Sequence, residues 1–146
     1  MQTLLTLHFF MVPLILLAAI LTLIPGIWLG VLFWRKPWSM SESDTPNSDR
    51  IPLLTRIFRI MLWVTAGLGV LQPIFGGLIY LTGARPEDPL HYVYGGLVLL
   101  AIPVAYVYSD QKQVKRDLWI MLFAVIIVTG AAFRALATGG TLPVGH

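Results

Sequence analysis

The stretch "EDPLHYVYGGLVLLAIPVAYVYSD", residues 87–110, decides how this chain folds. Between Asp88 and Asp110 it contains no Asp, Glu, Lys or Arg, and its one histidine, His91, stands near the start between Leu90 and Tyr92. As a helix, Leu90–Tyr108 would be about 28 Å long at ~1.5 Å per residue, close to the ~30 Å of a bilayer's hydrocarbon core. A strand of a membrane barrel would alternate in polarity, and this run does not.

Three more runs of the same kind flank it: Leu4–Trp34, Ile60–Thr82 and Leu118–Ala137. The chain has 146 residues, of which 57% are hydrophobic and 12% charged, and its mean hydropathy is +0.79. Soluble domains carry about 25% charged residues, so much of this surface must meet something other than water. The expected fold is all-α: a single integral-membrane four-helix bundle over residues 1–146, with helices at about 4–34, 60–82, 90–108 and 118–137. The first run is too long for the apolar core of a signal peptide and lacks a basic lead-in, so it is expected to be retained as a helix.

The basic residues set the orientation. Arg35, Lys36, Arg50, Arg56 and Arg59 lie in or beside the first connection, and Lys112, Lys115 and Arg116 in or beside the third, eight of the ten in the chain. Loops rich in Lys and Arg stay cytoplasmic. Residues 35–58 are therefore expected as a cytoplasmic loop, with both termini outside, in a bacterial inner (cytoplasmic) membrane. The same placement accounts for the net charge of +3 without invoking nucleic acid. Trp34, Trp38, Trp63 and Trp119 mark the inner interface, and Tyr80, Tyr92 and Tyr94 the outer one.

Within the runs, glycines predict close helix packing at Gly69, Gly76, Gly77, Gly95, Gly96 and Gly130, since small residues let backbones approach in lipid. Pro13 and Pro25 predict a kink in the first helix. Asp88 and Pro89 predict the start of the third, as N-cap and first helical residue. Ile51 to Ile60, "IPLLTRIFRI", reads as a surface helix start before the second span. Gln72, the most polar residue inside a span, is expected to bond to a neighbouring helix.

Chemistry is sparse. With no cysteine, thiolate metal sites and disulfides are excluded, and no other metal site is expected. All seven acidic residues lie in loops or at helix boundaries, so none suggests an ion path through the membrane. Arg85, Glu87, Asp88 and Arg134 form an outer-side charge cluster in which Arg134 could pair with Glu87 or Asp88. His8 and His91 open the two outward-starting helices and are the only internal histidines. As axial ligands of a haem b they would have to sit at one depth. Counting from the inner helix ends places His91 about 28 Å up and His8 about 40 Å up, a mismatch of ~12 Å for straight helices. A single histidine could instead ligate a chlorin magnesium or bond a quinone carbonyl.

"LQPIFGGLIYLTG" followed by "LHYVYGGLVLLAIP" resembles one half of a haem A synthase over about 35 residues. That family pairs a helix ending in Gln, Gly and Thr-Gly with a histidine-bearing helix, and the resemblance implies a haem role for His91. The family's Glu-and-His helix motif is absent here, and Tyr92 follows His91 where the family has an arginine. The chain is also similar to small four-helix membrane proteins of phototrophic and respiring bacteria. The leading expectation is a non-catalytic accessory subunit of a respiratory or photosynthetic electron-transfer complex, with no cofactor, its partners being the bilayer and other membrane subunits. The alternative is a haem-b electron carrier held by His8 and His91.

Overall fold

The computed structural model describes residues 2–34, 50–83, 85, 88–109 and 114–138. Glu87 and most of the segment between the first two helices lie outside them. Four helices follow one another: α1 (Gln2–Phe33), α2 (Arg50–Leu81), α3 (Leu90–Tyr108) and α4 (Val114–Thr138). They form a ring in chain order, each packing on the next and α4 closing back on α1, so α1 and α3 face each other diagonally. Each is long and apolar enough to cross a membrane. Their outer faces are apolar as well: Phe10, Ile24, Trp28 and Val31 of α1 are each more than 60% exposed. In water such a face would be a standing aggregation hazard; facing lipid it costs nothing.

The helix start expected over 51–60 runs unbroken into the second span as Arg50–Leu81, so the part of the expected 35–58 loop from Arg50 onward is helical. The reason is the apolar spacing of the surface segment. Leu54, Phe58 and Leu62 recur every four residues and turn into the core, while Arg56 and Arg59 stay exposed. Helix α1 continues through Pro13 and Pro25.

The core is built from close approaches and two polar ties. Ile15, Ala19, Leu29, Phe33, Val125 and Val128 are almost wholly buried. Thr22 and Thr65, also buried, share a 3.0 Å hydrogen bond between α1 and α2. Each hydroxyl also sits within bonding distance of its own helix's carbonyl, at Ala18 (2.7 Å) and Met61 (2.9 Å). Two protons therefore serve three contacts, and neither oxygen is orphaned. At the end of the bundle where α1 finishes, the buried Lys115 donates to the Trp34 carbonyl at 3.1 Å, stabilising the negative end of α1 from α4.

The glycines divide by what opposes them. A Cβ on Gly69 would come within 2.9 Å of the Val98 carbonyl oxygen, so α2 and α3 touch there only because the side chain is missing. At Gly76 the opposing atom is the His8 ring, at 3.2 Å. Gly77, Gly95, Gly96 and Gly130 meet nothing within 4 Å, so they do not mark tight contacts between described residues. The tightest approach of all is at Gly26, where a Cβ would lie 2.8 Å from the Phe58 ring, and the small residue lets α1, α2 and α4 converge.

Candidate functional site

The end of the bundle opposite Lys115 holds a cavity of about 440 Å³, within the range of ordinary ligand sites. All four helices line it, and His8 of α1 and His91 of α3 are among the lining residues. Their ring centroids are 6.0 Å apart, with the planes inclined at 59°. The depth mismatch expected from counting residues is absent, and the reason is visible in the packing. From His91 to Tyr106 is 15 residues, and Tyr106 stacks edge-on against Trp63 at 5.3 Å. Two residues further on, Thr65 bonds Thr22, which lies 14 residues from His8. The two histidines are level because α1 runs past the end of α3, down to Trp34, which packs on Trp119 of α4 at 6.0 Å. Helix ends are staggered; the count assumed they were flush.

Local sequence fixes each ring. Asp88 Oδ1 accepts the Leu90 backbone N–H at 2.8 Å, and the His91 and Tyr92 amides donate to the Asp88 and Pro89 carbonyls at 3.1 and 3.2 Å. That tight first turn seats His91 at the very start of α3, where it also contacts the Ala135 backbone of α4. On the other side, Gln72 is buried in α2 and its amide nitrogen donates to the His8 backbone carbonyl at 3.3 Å. The same nitrogen lies 3.4 Å from His8 Nε2. The bond to the backbone carbonyl fixes which end of the Gln72 amide faces His8, while the roles in the longer ring contact depend on the tautomer of the imidazole. The expected interhelical bond of Gln72 is therefore present, and it is made to the candidate ligand.

Three polar atoms remain buried without a hydrogen-bond partner among the described residues at this place: His8 Nδ1, His91 Nδ1 and Gln72 Oε1. A buried polar atom left unpaired costs about 1–3 kcal/mol. Three such atoms around one cavity mark it as the candidate site, since a ligand or bound water placed there would satisfy them.

The remainder of the wall is small and apolar. Gly76 and Gly77 on α2 face Gly95 and Gly96 on α3, with Ala132 and Ala135 on α4. Three of these glycines have open space where a side chain would stand, so their effect is to widen the cavity beside the two rings. Tyr80, Tyr92 and Arg85 stand at its outer rim, the tyrosine rings edge to face at 6.2 Å.

This arrangement can hold a metal-centred group between two imidazoles. Two metal–nitrogen bonds of ~2 Å, with ~1 Å more from each nitrogen to its ring centre, require centroids ~6 Å apart. The observed 6.0 Å meets that requirement. A bare metal ion is less well served, since no group of three or more His, Cys, Asp or Glu converges among the described residues. A group that brings its own equatorial ligands needs only the two.

Of the outer-side charges, Glu87 lies outside the described residues and the other three are placed as follows. The Arg134 guanidinium lies 5.6 Å from the Tyr94 ring centre, Arg85 stacks 3.5 Å over Tyr80, and Asp88 caps α3. A second cavity, of about 180 Å³, lies at the opposite end among Phe33, Phe58, Arg59, Tyr106 and Asp117, and contains no histidine. Comparison with protein families, with curated proteins and with solved structures finds no match to this chain.

Proposed function

We propose that the chain is a membrane-embedded carrier of a b-type haem, held between His8 and His91, and that its role is electron transfer. The observation that carries this reading is the level pair of rings 6.0 Å apart across a cavity, each with an unpartnered nitrogen. Haem iron held by two imidazoles has no open coordination position, so the group supplies one-electron transfer in place of substrate activation. Gln72, donating to the His8 backbone carbonyl, fixes against α2 the turn of α1 that carries the His8 ring. The Asp88–Pro89 turn places His91. Gly76, Gly77, Gly95 and Gly96 leave room for a flat macrocycle, and the apolar lining keeps water from it. The likeness of residues 71–103 to half of a haem A synthase points the same way.

An electron carrier of this kind is itself non-catalytic, which joins the two readings drawn from the sequence. It suits a subunit of a larger respiratory or photosynthetic complex. Gly67 and Gly130 favour that setting: both are exposed, with nothing within 4 Å of an added Cβ, and could admit a partner's helix. The basic connections orient the bundle in an inner membrane with both termini, and therefore the haem site, on the periplasmic side.

The experiment is optical. The chain, purified in mild detergent from haem-competent membranes, is expected to show Soret and α-band absorbance after reduction. A fully folded, colourless protein that takes up no added haemin overturns the proposal.

A further inference from the structure

The cavity has a polarity of its own, set at its rim. Among the side chains that line it only one, Arg85, carries a permanent charge. Its place is determined by the end of α2. That helix stops at Leu81, and Gly83 adopts a left-handed φ of 88° that any other residue would find strained. The Gly83 amide donates to the Tyr80 carbonyl at 3.0 Å, the hydrogen bond of a helix that closes on a left-handed residue. The central carbon of the Arg85 guanidinium lies over the Tyr80 ring, 3.5 Å from its centre. Stacking holds the planar cation at the mouth while leaving its N–H edge open, and that edge matches a carboxylate in two-point geometry.

We propose that Arg85, braced by Tyr80, is the carboxylate-recognition point of this site. It would bind the propionate edge of the haem and so fix which way the macrocycle enters, with its apolar edge toward Val12, Ile15 and Val98. This rests on the haem reading above and adds to it a residue, an orientation and a chemical preference. Nothing else charged lines the cavity among the described residues, so an amphiphile lying the other way round would bury its anions against aliphatic side chains, which is prohibitive.

The test compares two probes on the full chain: haemin, which has two free carboxylates, and haemin dimethyl ester, in which both are masked. Wild type is expected to prefer haemin by at least about tenfold, the effect of one charge-assisted hydrogen bond. Arg85→Gln is expected to bring the two affinities to within about twofold by weakening haemin alone. Arg85→Lys should keep part of the preference, since charge survives and two-point geometry does not. Arg134→Gln, which removes a cation at the same end but outside the cavity, should keep all of it. If wild type shows no preference, or Arg85→Gln retains it in full, the inference fails while the haem reading stands. If wild type binds neither probe, both fall together.

Discussion

Gln72 meets His8 twice, through its backbone carbonyl at 3.3 Å and its ring nitrogen at 3.4 Å, both from a single buried amide nitrogen. That contact ties α2 to the turn of α1 that carries the His8 ring. Its consequence is a first expectation. Gln72→Leu keeps the volume and removes the donor, freeing the turn that carries His8. Haemin affinity should fall about tenfold, the effect of losing one buried hydrogen bond that places the residue. A titration followed at the Soret band measures it, and an unchanged affinity would show that Gln72 does not place His8.

The open glycines lead to a second. Gly96 lines the cavity and has nothing within 4 Å of where its Cβ would be. Gly96→Leu should fill that space with apolar atoms and exclude the macrocycle. Haem uptake is expected to drop by at least tenfold, while thermal unfolding in detergent is no earlier than in the wild-type apoprotein. Full uptake by Gly96→Leu would move the ligand elsewhere.

Glycines that look equivalent in sequence should differ in stability. Gly69→Ala drives a Cβ to 2.9 Å from the Val98 backbone oxygen, which cannot step aside as a flexible side chain could. Overpacking of this kind costs about 1–3 kcal/mol. Gly77→Ala meets open space, and the gain in helix propensity is up to about 1 kcal/mol. Unfolding of the two variants side by side should show Gly69→Ala melting earlier than wild type and Gly77→Ala no earlier. The reverse order would contradict the α2–α3 packing described.

The four helices and the turn that begins α3 were readable because their causes are local: length, apolar composition, and Asp-Pro at a helix start. The level of His8 with His91 was not, because it depends on how far α1 extends beyond α3. Only contacts distant in sequence, such as Thr22 with Thr65 and Trp63 with Tyr106, set that stagger. The glycines were misleading for the same reason. Whether a missing side chain admits a neighbour, as at Gly69, or leaves a space, as at Gly96, is decided by the helix opposite. Arg85 appeared as one of a cluster of outer charges. Its seat over Tyr80 follows from the left-handed Gly83, a cue the sequence held but whose direction it did not.

Orientation can be checked independently of any ligand. With eight of the ten basic residues in or beside the first and third connections, a reporter active only in the cytoplasm should be silent when fused after His146. The same reporter inserted between Ser41 and Ser43 should be active. Activity at the C-terminus would invert the bundle and place the haem site on the cytoplasmic side.

The spin state of the haem-loaded protein tests the central claim most directly, because it reports the number of axial ligands. Wild type is expected to be low-spin and six-coordinate by electron paramagnetic resonance. His8→Ala and His91→Ala should each convert it to high-spin or lose the haem, and added imidazole should restore the low-spin signal in any variant that retains it. A low-spin spectrum that survives either substitution without imidazole, or a wild-type spectrum that is high-spin from the outset, would contradict a haem held between His8 and His91.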